Sequence, residues 1–286
     1  MRLFNKVIII GTGLIGGSVG LAIKSKHLAH TVIGINRHRR TNELAKQKGA
    51  IDEGKTRIDK RTMEDADLVI LATPVSSIIK IGQRVASIID KETVVIDVGS
   101  SKEAVVNSLS KVIVNFIGTH PLAGSEKQGI TYACAGLLNN SLCILTPIKT
   151  SSKKSLKLIH CFWKALGAKT ICLTPKEHDK ILSLVSHLPH VLSFCLMHCI
   201  SPGYFKFSSS GLRDITRLAS SSPLIWRDIF LSNKKNTLKS LSKFRENLNK
   251  IEKTLADNDA KCLLSLLQKA ARKREKLLMP TNKVAL

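Results

Sequence analysis

Aromatic residues make up only 4% of this 286-residue chain, too few to supply the ring faces on which single-strand binders stack bases. No uninterrupted run of about 18 apolar residues occurs, which speaks against a membrane span. The N-terminal MRLFNKVIIIGTG has a basic start, but its apolar run stops at a glycine turn, too short for a secretory core. The seven cysteines, Cys134, Cys143, Cys161, Cys172, Cys195, Cys199 and Cys262, are odd in number and scattered, with no CxxC pair to suggest a zinc knuckle or redox site. A reduced, cytoplasmic protein is the natural reading. Acids are also scarce, 21 against 45 lysines and arginines, for a formal charge of +24 spread over both halves. Only RHRR (37–40) and KAARKREK (269–276) are local clusters, and neither is interleaved with aromatics. The charge therefore reads as a solvated basic surface that draws anionic small molecules, with no nucleic-acid role.

What the chain does have is 43% apolar content, enough for one large core or two ordinary ones, and its length favours two domains. The first half alternates short β-branched runs with helical patterns: KVIII (6–10), TVIGI (31–35), DLVILA (67–72), TVVIDV (93–98), VNFIG (114–118), SLCILT (141–146) and KTICLT (169–174). That alternation predicts an α/β domain with a parallel, doubly wound sheet over residues 1–175. After Pro175 the β-branched runs vanish. The segments 176–200, 223–256 and 259–277 carry apolar residues at three- and four-residue steps, predicting an all-helical domain over 176–286 with one sticky face per helix.

Residues 11–16, GTGLIG, match G-x-G-x-x-G between a strand and a helical run, the context a dinucleotide site requires. Gly11 permits the tight turn, Gly13 lets the backbone approach a pyrophosphate, and Gly16 lets the helix pack on the strand; Thr12, Leu14 and Ile15 complete the loop. Thr73 and Pro74, and the strand end DVGSSK (97–102), should flank the nicotinamide, since ligands of open sheets sit beyond the carboxyl ends of strands. The acid that usually grips the ribose after the second strand is missing. Asn36, Arg37, His38, Arg39 and Arg40 stand there instead, and an arginine can pair with a 2′-phosphate, so NADP is preferred and NAD possible.

The stretch THPLAGSEKQG (119–129) has no regular apolar face and reads as a shaped loop presenting His120 and Glu126. Oxidation of an alcohol by a nicotinamide needs a base for the hydroxyl proton, and His120, following a strand at the cofactor edge, suits that work. His187 and His190 lie three apart in SHLPH, with Pro189 loosening the helix between them. Lining of a ligand cavity suits them better than metal ligation, because no convincing third and fourth ligand is in sight; no metal is expected.

Together GTGLIGGS, DLVILATP, DVGSSK, THPLAGSEKQG, SHLPH, RDITRLA (213–219) and PLIWRDIFLSN (223–233) resemble the prephenate and arogenate dehydrogenases of tyrosine biosynthesis over nearly the whole chain. The resemblance implies a Rossmann domain followed by a helical domain that makes a homodimer. It implies a substrate, prephenate or arogenate, whose 4-hydroxyl loses a proton as hydride leaves C4 and the ring loses carbon dioxide. By the same likeness His120 is catalytic, Ser100 supports it, Glu126 guards the entrance, and His190 and Arg217 hold substrate carboxylate. Trp226 would reach the site from a partner subunit, and Asp214 would steady Arg217. The match departs at Ser209, Ser210 and Gly211, where the family usually has a glycine triplet, and in a shortened connection after SHLPH. A dinucleotide sensor without catalysis is the alternative from another class; the joint presence of His120, Ser100 and Arg217 argues against it.

Overall fold

A computed structural model describes residues 2–125 and 127–278. Eight strands form one sheet: β1 (Phe4–Ile10), β2 (Ala29–Ile35), β3 (Glu53–Lys55), β4 (Leu68–Leu71), β5 (Val94–Asp97), β6 (Phe116–Pro121), β7 (Leu142–Thr146) and β8 (Lys169–Cys172), in the spatial order β3-β2-β1-β4-β5-β6-β7-β8. The helices of this part are α1 (Leu14–Ser25), α2 (Arg39–Gln47), α3 (Lys60–Met63), α4 (Val75–Ala86), α5 (Glu103–Leu109) and α6 (Lys153–Ala165). The central strands are buried on both faces, as their continuous Val, Ile and Leu runs require. One cluster joins Val7, Ile9 and Ile70 to Val19 and Phe162, and a second joins Ile8, Val69 and Val95 to Ile78 and Val106 on the other face.

The sheet is parallel, as expected, at every pairing but one. β6 and β7 run antiparallel, with His120 opposite Ile144 and Pro121 opposite Cys143. Among its described residues, the segment between them contains only two 3-10 turns, Ile130–Tyr132 and Ala135–Leu138. A parallel return needs a crossover, normally a helix, whereas an antiparallel neighbour does not. The loop that follows His120 therefore stays at the carboxyl edge, where Cys134 N donates to Ser18 Oγ on α1 at 3.1 Å. The short edge strand β3 also escaped the sequence reading, because EGK has no β-branched residue.

Beyond Thr174, which caps its helix through a reciprocal capping box with Glu177, come α7 (Pro175–Leu182), a π-helical turn over Ser183–His187, and α8 (Leu188–Cys199). The π turn sits just before Pro189, which has no N–H to give the preceding turn and whose ring crowds the carbonyl four residues back. The run Pro175–Cys199 has 25 residues, and an 18-residue window within it has a mean hydropathy of 1.4, enough by length and composition to cross a bilayer. The sequence offered no unbroken apolar run because serines and histidines interrupt it, and His178, Asp179 and His187 are buried with polar partners inside the protein. The α7 end and the π turn are anchored in this way, while α8 buries only Ser193.

Next come α9 (Ser210–Thr216), α10 (Pro223–Ser232), α11 (Lys234–Ala256) and α12 (Ala260–Leu278). The single helix expected over 223–256 is broken at Asn233, whose side-chain Nδ2 donates to Asp179 O at 2.7 Å. The chain divides into two compact units after Lys234.

Candidate active site

The parallel strands β1, β4, β5 and β6 deliver their carboxyl ends to one edge, where a cleft of about 710 Å³ opens. Gly13, Leu14, Ile15, Thr73 and Pro74 line it, together with Ser100, His120, His190, Arg217 and Trp226. These ten sequence-predicted residues are thus brought together. Gly11, Thr12, Gly16, Asn36, Arg37, Asp214 and His187 do not line it.

The glycine loop is built for an anionic ligand. Gly11 has φ +96°, and a Cβ there would lie 2.6 Å from Ala72 O; a Cβ on Gly16 would lie 2.0 Å from Gly11 O. Gly13 has nothing within 4 Å of a Cβ position, so the loop is clear where a pyrophosphate would approach the start of α1, whose first turn carries no acid. Thr73 Oγ1 is buried without a hydrogen-bond partner, an orphan donor and acceptor facing the same space. These features fit a nicotinamide dinucleotide. Asn36 acts differently from expectation. Its Oδ1 accepts from Thr12 N at 2.8 Å, and its Nδ2 donates to Thr12 Oγ1 at 2.7 Å and Asn42 Oδ1 at 2.6 Å. Both amide hydrogens are spent bracing the loop. Arg37 and Arg40 are exposed, while Arg39 pairs with Glu43.

His120, at the end of β6, is buried, and its Nδ1 lies 2.8 Å from His178 Nε2. His178 Nδ1 lies 2.8 Å from Asp179 Oδ1. Asp179 also accepts from Lys102 N at 2.7 Å and Glu103 N at 3.0 Å. Lys102 and Asp97, from DVGSSK, form a fully buried ion pair, and Asp97 accepts from Gly99 N at 2.9 Å, so neither charge is left uncompensated. Burial pushes His120 well below the ordinary histidine value, with His178, Lys102 and His187 adding to that effect. It is therefore neutral and able to accept a proton. His178 is also lowered by burial, against the opposing pull of Asp179. The resemblance implied Ser100 as the support of His120; Ser100 lines the cleft, but the ring's hydrogen-bond partner is His178. The sequence reading missed His178 and Asp179. The available signal was their place in the buried stripe Pro175, His178, Asp179, Leu182, where an amphipathic helix should be apolar.

On the helical side the two histidines of SHLPH part company. His187 is buried outside the cleft, with Nδ1 at 3.3 Å from Asn233 Nδ2, and burial lowers its pKa to about 4. The substrate-binding expectation for it is corrected: the π turn points this ring into the protein. His190 faces the cleft with Nδ1 donating to Ser186 O at 2.9 Å, which leaves Nε2 available. Its ring stacks on Trp226 with centroids 3.4 Å apart. Trp226 was expected to arrive from a second subunit, yet the indole lines the cleft of its own chain, because α10 packs on α4 beside the cofactor edge. Arg217 reaches the cleft despite the altered serine-serine-glycine approach, since α9 ends at Thr216 and a 3-10 turn begins at Arg217. Asp214 is exposed, outside the cleft and without an ion pair among the described residues, so its expected pairing with Arg217 is not formed. Glu126 lies outside the described residues. No group of His, Cys, Asp and Glu able to hold a metal occurs among the described residues.

Two family models match the chain: "Prephenate dehydrogenase, nucleotide-binding domain" over residues 19–172 and "Prephenate dehydrogenase, dimerization domain" over 174–269. A prephenate dehydrogenase of Bacillus subtilis is 35% identical over 96% of this chain and 76% of its own length. The crystal structure of prephenate dehydrogenase from Aquifex aeolicus, in complex with hydroxyphenyl propionate and NAD+, matches with a TM-score of 0.90 and 33% identity, covering 96% of this chain and 98% of that one. The Synechocystis arogenate dehydrogenase structure matches with a TM-score of 0.83 and 28% identity, covering 96% and 100%.

Proposed function

The chain belongs to the prephenate dehydrogenase family, and from that premise we propose that it oxidises and decarboxylates prephenate to 4-hydroxyphenylpyruvate, a step of tyrosine biosynthesis. The observation that carries this reading is a neutral, buried His120 facing the same cleft as the glycine loop and the Arg217 guanidinium. When bound, a nicotinamide dinucleotide supplies the hydride acceptor. His120 takes the 4-hydroxyl proton, with the Ser100 hydroxyl beside it in the cleft. Arg217 and His190 receive substrate carboxylate; the planar guanidinium matches that group in two parallel hydrogen bonds. His190 is lowered by burial and by Arg217, against the Ser186 carbonyl, and an incoming carboxylate would favour its charged form. Glu126 guards the entrance. Residues 1–175 serve the dinucleotide and 176–286 the substrate and a second subunit, a division supported by the meeting of the two family models at 172 and 174.

Arogenate, with an amino group in place of the pyruvyl carbonyl, is the competing substrate, favoured by the likeness to the Synechocystis enzyme. Initial rates with prephenate and arogenate, each against NAD and NADP, test the proposal; turnover of neither substrate ends it. NADP is the preferred cofactor in this reading, supported by the absence of an acid at Asn36 and by exposed Arg37 and Arg40. Charge-assisted contacts to a phosphate are worth about 1.5–3 kcal/mol, so a preference of roughly 10- to 100-fold is expected. Titration of wild type and Arg37→Ala with both dinucleotides measures it. Tighter NAD binding by wild type, or undiminished NADP binding by the variant, makes the cluster ordinary surface.

The working assembly is a cytoplasmic homodimer. Its support is the name of the second family model, the seven free thiols, and exposed apolar side chains such as Leu238 and Leu255 on α11 and Leu264 and Leu267 on α12. Light scattering at assay concentration should give twice the chain mass, and an active monomer refutes it.

A further inference from the structure

Behind His120 lie two side chains in line, His178 and Asp179, that the reaction as proposed leaves without a task. Asp179 is fixed from two sides, by Lys102 N and Glu103 N, so its Oδ1 stands ready to accept from His178 Nδ1. With its proton on Nδ1, His178 has a bare Nε2, and that atom lies 2.8 Å from His120 Nδ1. Two imidazole nitrogens at this distance must share one hydrogen, so His120 carries it on Nδ1 and keeps a bare Nε2. Asn233 Nδ2 donates to the Asp179 carbonyl and steadies the same turn of helix. The arrangement has one consistent direction, from carboxylate to outer ring to inner ring.

We propose that His178 and Asp179 are positioning residues that hold His120 in the tautomer able to act as base and share the charge it acquires. The inference rests on the function proposed above. In the step, the substrate O–H bond breaks and its proton bonds to His120 Nε2. The electron pair stays on oxygen and becomes the carbonyl bond as hydride leaves for the nicotinamide. The Nδ1 hydrogen of His120 can then pass to His178 Nε2, leaving His120 neutral and the positive ring against Asp179. Without this outlet an imidazolium would form in a buried site that already holds Lys102. The logic is that of a carboxylate orienting a general base, lengthened by one ring. The other titratable groups around the pair are Asp97 and Lys102 beside β5, Cys143 on β7 and His187 on the π turn. Their effect on His178 is divided, Lys102 lowering its pKa and Asp97 raising it.

Nitrogen-15 NMR of the histidines in the wild-type protein reads the tautomers without any substrate, with His120→Asn and His178→Gln spectra for assignment. Both rings should be Nδ1–H; an Nε2–H form of either ring overturns the proposal, whatever the enzyme acts on. Kinetics supply the second arm. His178→Gln accepts a hydrogen bond but cannot carry the proton onward, and should lower kcat roughly 10- to 100-fold with KM for prephenate and dinucleotide affinity within threefold. Asp179→Asn removes the charge that favours the protonated pair, so the acid limb of its kcat/KM profile should move to lower pH. A kcat within threefold of wild type, a loss carried by KM, or an unmoved acid limb overturns the relay. A wild type inactive on both prephenate and arogenate would defeat the substrate reading while the tautomers still decide the relay.

Discussion

His120→Asn should retain dinucleotide binding and lose kcat by roughly 10²- to 10⁴-fold, the range expected for removal of a general base. The separation of the two effects follows from the architecture. The ring sits at the end of β6, whereas the pyrophosphate contacts come from the loop after β1, whose brace is Asn36 with Thr12 and Asn42. Asparagine keeps a polar group near the position of Nδ1, but it ends short of Nε2 and cannot take a proton near neutral pH. The asparagine amide can donate to His178 Nε2 in place of the ring N–H, and an imperfect fit of that buried hydrogen bond costs up to about 1–3 kcal/mol, so thermal unfolding must be followed beside the rates. Calorimetric dinucleotide affinity equal to wild type, with turnover reduced as stated, is the expected pair of measurements. Turnover within a few fold would move the base elsewhere.

Arg217→Ala should leave the fold intact and weaken substrate capture severely. The side chain is exposed in the free protein, so its removal should change stability by only about 0.5 kcal/mol. With substrate bound, the guanidinium and a carboxylate would face each other in a cleft from which water is largely expelled. Truncating one partner of such a pair costs on the order of 2–5 kcal/mol, or roughly 30- to 5,000-fold in kcat/KM. The loss should appear mainly in KM. Arg217→Lys should recover little, because a lysine offers a point charge in place of a planar fork. Steady-state kinetics with prephenate decide it, and an unchanged KM would assign the carboxylate to other groups, with His190 the first to examine.

The parts of this molecule that were legible in its sequence are those with a local cause. GTGLIG announced its turn because glycine is needed where φ is positive and where two backbones nearly touch, and both needs are met at Gly11 and Gly16. The buried strands declared themselves through β-branched runs. His120 could be singled out because it follows such a strand in a segment with no other structural purpose. What escaped notice depends on distant partners. Nothing near KEHD says that Asp179 will meet the backbone at the start of α5, and nothing in SHLPH distinguishes the ring that turns inward from the one that faces the cleft. The reversal of β7 also follows from an omission, the lack of a crossover helix after Pro121. Asn36 had the correct address and a different occupation: polar side chains of this size bond to whatever backbone is nearest, and the nearest was the loop itself.

The π turn over Ser183–His187 makes the site depend on how the helix is wound there. Such a turn holds one residue more than regular α geometry. Deleting one residue there would let the helix close into an ordinary spiral with the residues beyond it keeping nearly their facing. Rewinding the turn to α geometry with its residue count unchanged would instead swing everything beyond it by about 100° about the axis. His178 and Asp179 are anchored to the backbone at the start of α5, so the swing would fall on His190, carrying its ring off the indole of Trp226. Leu184 is exposed and could be exchanged for many residues without such an effect. Along this stretch the chain can vary its letters more freely than its winding.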